Sequence, residues 1–163
     1  MVAISMYALR DLSGVNRELQ EISRSLEAVQ GLETAVARAV TPLSAFLVDG
    51  ASGHERRFEA SIREVDVRLK GCSGSACHGA SGQASAMAAS LAPYIQGIRD
   101  RAAIVFSGGD TPGEQRKMRV LHEINQQSEE ANLRLERMAS ALLLRVPSLQ
   151  EKSQEMSQRA SAL

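Results

Sequence analysis

The sequence predicts an all-α protein, an antiparallel up-down-up-down four-helix bundle with long first and fourth helices and a short second and third. Three observations carry this. Hydrophobic residues make up 44% of the 163 positions, yet aromatics are 3% and tryptophan is absent. A core of Leu, Val, Ile, Ala and Met suits packed helices better than a sheet. The apolar residues recur at alternating three- and four-residue steps, the spacing of one helix face. Gly-, Asp- and Ser-rich breaks cut the chain into four such segments.

The first helix is expected over about 5–48. Leu12, Val15, Leu19, Ile22, Leu26, Val29, Val36, Val40, Leu43 and Leu47 form its heptad-like stripe. At 1.5 Å per residue it spans roughly 60 Å. Pro42 removes one backbone donor and should kink it. Asp49-Gly50-Ala51 is a turn. Ser52-Gly53-His54-Glu55 reads as a capping box opening a second helix over 53–70, with Phe58, Ile62, Val65 and Leu69 inward. Gly71 is the expected stop.

The third helix is expected over 83–106, with Met87, Leu91, Ile95, Ile98, Ala102 and Val105 inward and a bend at Pro93. Thr111-Pro112-Gly113-Glu114 supplies a capping box and an early proline for a fourth helix over 112–163. Its stripe is Leu121, Ile124, Ser128, Ala131, Leu135, Met138 and Leu142. The register resumes at Leu149 after a kink or break at Pro147. All 163 residues read as one domain.

Between the second and third helices lies Cys72-Ser-Gly-Ser-Ala-Cys77-His78. It holds the only two cysteines and one of three histidines. The signature for covalent haem attachment is C-x-x-C-H; here two further residues separate the thiols. Two cysteines add to the two vinyl groups of one porphyrin, and the adjacent imidazole then lies under the iron. The glycines around them let the backbone bulge around a flat ring. Other readings are a small-loop disulfide, a zinc site using His78 and a second histidine, and unrelated thiols. The spaced-out motif resembles the variant attachment site of multihaem c-type cytochromes. The resemblance covers those seven residues and implies one covalent haem c, held by Cys72 and Cys77, with His78 as proximal iron ligand.

On the opposite face of the iron, His122 is the preferred distal ligand, because it flanks the stripe beside Leu121. Met87, on the third helix just past the loop, is the second candidate; core filling is its plainer role. The small residues Ala84 to Ser90 near Met87 clear room for a porphyrin face. His54 reads as a polar surface residue at the far turn.

The unequal helices carry the second functional hint. Below the loop only the first and fourth helices continue, side by side. This layout resembles the four-helix-bundle sensor domains of bacterial chemoreceptors and sensor histidine kinases, whose outer helices run into membrane spans. The resemblance covers most of the chain and rests on helix pattern alone. It implies a periplasmic domain of an inner-membrane receptor, paired as a parallel homodimer. The iron would respond to a diatomic gas or to a redox partner. Haem attachment outside the bacterial cytoplasm agrees with export. The apolar start Met1 to Leu9, too short to cross a bilayer, reads as the tail of a span outside this sequence, and both ends read as cut.

The 19 basic residues balance 19 acidic ones, which gives no footprint for nucleic acid. No nucleophile–histidine–carboxylate set or phosphate-cradling loop points to an enzyme. Two other functions stay open: a monohaem electron-transfer cytochrome, and a haem-free chemoreceptor bundle with a loop disulfide.

Overall fold

The apolar stripes come together as expected. The structure is a computed structural model. It describes the backbone of residues 2–73, 83–107 and 113–161, and the side chains of 10, 12–71, 89–107, 113 and 115–159. Among the described residues five helices follow in order: α1 (Val2–Asp49), α2 (Gly53–Ser73), α3 (Gln83–Phe106), α4 (Glu114–Leu143) and α5 (Val146–Ser161). α4 and α5 together form the long fourth rod of a four-helix arrangement. Its neighbours run α1 against α2, α2 against α3, α3 against α4, and α4 back against α1. α5 packs along α1.

The main core joins α1 to α4. Leu32, Leu43, Val65, Ala102, Val105, Ile124, Ala131 and Leu135 are fully buried in it. Every inward residue expected on α2 is buried, as are Leu91, Ile95, Ile98, Ala102 and Val105 on α3. The stripe on α1 is broader than its heptad pattern, since Leu32, Ala35 and Ala39 are buried too. A helix lying against two neighbours needs a wider apolar face than a coiled-coil seam. A second cluster, lower down, holds Val15, Ile22 and Leu149, with Leu19, Leu26, Leu142, Val146 and Met156 against it. It joins the lower half of α1 to α5.

Long-range ion pairs set the register. Arg99 of α3 donates to Asp66 of α2 at 2.7 Å, and Arg101 of α3 to Glu123 of α4 at 2.9 Å. Arg145 pairs with Glu18 across α1 and the α4–α5 break. Each is part-exposed, so each adds about 1 kcal/mol at most. Their value here is as markers of which residues lie level. At the upper end the chain's three phenylalanines meet. Phe106 lies 5.0 Å from Phe46 and 5.5 Å from Phe58, ring centre to ring centre.

The α1–α2 turn is closed differently from the capping box expected at Ser52. Asp49 does the work, with one carboxylate oxygen accepting from the Ala51 N–H at 2.9 Å and the other 2.9 Å from His54 Nε2. Gly50 takes φ +67°. Only glycine enters that region without strain, so Gly50→Ala is expected to cost about 1 kcal/mol, read as a shift in the urea midpoint. The Ala51 amide, and then His54, hold the Asp49 carboxyl below its ordinary range. A depressed folded value stabilises at pH above the unfolded value. That contribution fades as pH falls below about 4. Wild type is therefore expected to lose more of its denaturation midpoint than Asp49→Asn between about pH 5 and pH 3; equal losses would show that the charge contributes nothing.

Four boundaries differ from expectation. α1 begins at Val2 rather than near residue 5. α2 runs through Gly71 to Ser73, because a glycine that keeps helical dihedrals need not end a helix. α4 starts at Glu114, two residues late, with Gly113 at its cap and no side-chain cap bond; Thr111 and Pro112 lie outside the described residues. The fourth rod breaks at Leu144–Arg145, just ahead of Pro147 rather than at it. Proline has no N–H to offer the carbonyl four residues back and crowds the residue before it. The Leu144 N–H bonds Ser140 O and the Arg145 N–H bonds Leu142 O, so the last turn tightens. Pro147 then sits in the first turn of α5, where its missing donor costs nothing. α1 and α3 continue as helices through Pro42 and Pro93.

Among the described residues one helix is long and apolar enough, by length and composition, to cross a membrane. The 38 residues from Leu12 to Asp49 include an 18-residue window of mean hydropathy 1.2. Within the bundle, Val29, Leu32, Val36, Val40 and Leu43 of that stretch are core.

Candidate functional site

The Cys–His stretch lies on the connection between α2 and α3. Cys72 belongs to the last turn of α2, by its backbone, one residue before the helix ends. Its side chain, the residues Cys77 and His78, and the side chain of Met87 lie outside the described residues. What the described residues define is the level at which that connection leaves the bundle.

The level follows from the ion pairs. α2 continues seven residues past Asp66 to Ser73, about 10 Å of helix. The same descent on α3 from Arg99 reaches Ala92. The step from Arg101 down to Ala92 then brings α4 from Glu123 to Asn132. Below that level α4 presents Leu135, buried, then Met138 and Ala139, partly buried against the core. α1 presents Ser25, Leu26 and Val29. Ser25 is 5% exposed, a buried hydroxyl that donates to Glu21 O at 2.8 Å.

His122 is placed differently from expectation. It is exposed, and it neighbours Glu123, the partner of Arg101. It therefore lies level with α2 about nine residues above Cys72, roughly 14 Å along the bundle. The inner face of α4 runs through Val120, Ile124, Ser128, Ala131 and Leu135. Relative to Val120 and Ile124, a residue at 122 points about 160° away, to the outside. Taking Leu121 as the stripe, one position late, brought His122 to the flank.

Met138 is the residue that sequence reasoning assigned only to the core. Its helix position is about 9 Å below Asn132, while Met87 is about 8 Å below Ala92. Positions 87 and 138 thus stand level on adjacent helices. Spacing alone marked Met138 as an inward residue. Only the register between helices sets it level with position 87.

The same levels bear on the zinc reading. His54 sits at the upper turn, eighteen residues of α2 from Cys72 and so about 27 Å away. His122 stands about 14 Å up the bundle from Cys72, and His78 lies outside the described residues. Among the described residues no three His, Cys, Asp or Glu side chains gather to hold a metal ion.

The donor set suits haem in kind. Two thiols separated by four residues and an adjoining imidazole are the residue types that would supply two thioethers and a nitrogen ligand. The chain matches no protein-family model, no curated protein and no solved structure, so it is placed by architecture alone, as an all-helical four-helix protein.

Proposed function

We propose that this chain is a haem c sensor domain of a bacterial transmembrane receptor, periplasmic and paired as a parallel dimer. The observation that carries the reading is the position of Cys72-x-x-x-x-Cys77-His78. It lies on the connection beyond which only α1 and the α4–α5 rod continue as a pair. An electron-transfer cytochrome has no use for that two-helix extension, whereas a receptor needs a pair of helices that lead away from its input.

Cys72 and Cys77 would hold the porphyrin by thioether bonds, and His78 would bind the iron. Of the distal candidates, the exposed position of His122 turns the preference to sulfur, with Met138 ahead of Met87. Haem would supply an iron that changes charge on reduction or takes up a diatomic gas. Met138 sits on α4, so a bond made or lost there acts on the helix that leads into α5. Helix shifts of about 1–2 Å are enough to carry such a signal. The Arg145–Glu18 pair and the Leu149 cluster tie the break in that rod to α1, which gives a shift of α4 a direct route to the paired helices.

The test is an absorption spectrum and a denaturing mass of protein from a host competent in haem attachment. The expected result is a haem band and a mass increased by one haem. Reduced spectra with and without carbon monoxide then separate the two stimuli. A new band with the gas favours gas sensing; an unchanged spectrum favours redox sensing. A colourless protein of bare polypeptide mass would refute the reading and leave the haem-free chemoreceptor with a loop disulfide.

A further inference from the structure

A groove of about 450 Å³ lies between α1 and α2, at the end of the bundle away from the Cys–His connection. Arg38, Thr41 and Pro42 line it from α1, and His54, Arg57 and Ser61 from α2. Its volume falls within the range of small-molecule sites. Three features make it more than a gap between helices.

The first is positive charge without a close acidic partner. Other arginines on these faces have acidic partners at helical spacing, as Arg63 has Glu59 and Arg68 has Glu64. Arg38 and Arg57 form no ion pair among the described residues. No Asp or Glu stands three or four positions from either. Asp49 feels the Arg57 charge through space, but its two oxygens are engaged by the Ala51 amide and His54. Two guanidinium groups on facing helices therefore line one opening, neither held in a close ion pair among the described residues.

The second is uncommitted hydrogen-bonding capacity. The Ser61 hydroxyl has no partner among the described residues. The Thr41 hydroxyl makes only a long 3.4 Å contact to Ala37 O. Pro42 brings no N–H, so the Arg38 carbonyl lacks its usual helix donor. The third is the wall. Pro42, with Ala45 and Ala60, gives the groove an apolar side next to its cationic rim. Bulk phosphate would leave that wall unused, whereas a carboxylate on a short carbon body would cover it.

We propose that this groove binds a small organic carboxylate, held by Arg38 and Arg57 with its carbon body against Pro42 and Ala60. Guanidinium forks pair with carboxylates in two-point hydrogen bonds. Ser61 and Thr41 serve as further donors. The site does not depend on haem. Arg57 lies fifteen residues from Cys72 on α2, about 22 Å, so the two sites share a helix without touching.

The test is calorimetric titration with succinate, and separately with inorganic phosphate, at matched ionic strength. The haem band is read in the same sample, so that loss of haem and loss of anion binding are seen separately. Succinate is expected to saturate and phosphate is not. Arg38→Gln and Arg57→Gln should each weaken succinate by about tenfold or more. Arg68→Gln, outside the groove, should leave it unchanged. Both groove arginines are exposed, and circular dichroism checks that the variants keep their helices. The proposal fails if succinate does not saturate, if phosphate binds as tightly, or if the two groove variants bind like wild type.

Discussion

Replacing Cys72 and Cys77 together with serine is expected to give a colourless protein of bare polypeptide mass, from the same host that colours the wild type. No other substitution should act so completely, because in the proposed haem c domain both covalent links would run through those two sulfurs. Each single variant keeps one thioether, so it should retain covalent haem at reduced yield with a shifted reduced-state band. His78→Ala removes the proximal nitrogen while leaving both sulfurs, and should keep the mass increment but alter the spectrum. A loop disulfide predicts something else. Wild type would then be two mass units lighter than its reduced form, and reduction would lower stability by roughly 2 kcal/mol for so short a loop. Cys72 sits on the last turn of α2, which runs three residues further than expected. Serine is tolerated at such a helix end, so loss of colour in the double variant would not be loss of fold. Preserved helical ellipticity checks that point.

Truncating Leu32 to alanine is expected to cost about 3–5 kcal/mol, the largest stability effect of any single substitution considered. Leu32 is fully buried in the cluster that joins α1 to α4. Neighbours from several helices cannot all collapse into the space it leaves, so a cavity adds to the lost transfer energy. A domain with about 5–15 kcal/mol in total would be brought close to unfolding. Leu149→Ala is the comparison. Leu149 is 8% exposed in the smaller cluster that joins the lower part of α1 to α5. With fewer neighbours and freedom for α5 to settle, about 1–2 kcal/mol is expected. Val67, 69% exposed on α2, should change stability by no more than about 0.5 kcal/mol when replaced by alanine. Urea denaturation followed by circular dichroism measures all three. Equal losses for Leu32→Ala and Leu149→Ala would contradict the division into a four-helix core and a two-helix extension.

The inner residues of α2 and α3 were legible because helical periodicity is local. Phe58, Ile62, Val65 and Leu69 repeat at three and four residues, and each is buried. The end of α2 was less legible. Gly71 is a common stop, but a glycine can also continue a helix, and nothing in its neighbours decides which. The break before Pro147 was legible to within three residues, since proline acts on the turn before it.

By itself the sequence determined the fold class, the number of rods, their unequal lengths, and the Cys–His motif on one connection. All are set by residue type and spacing within a few turns. The tertiary structure alone decided the levels at which helices meet. It brought three distant phenylalanines together, set Met138 level with position 87 of the neighbouring helix, and turned His122 outward. The physical reason is that one residue of phase rotates a helix by about 100°, and one residue of register slides it by about 1.5 Å. Both are settled only when neighbouring helices pack, through pairs such as Arg101–Glu123 that lie far apart along the chain.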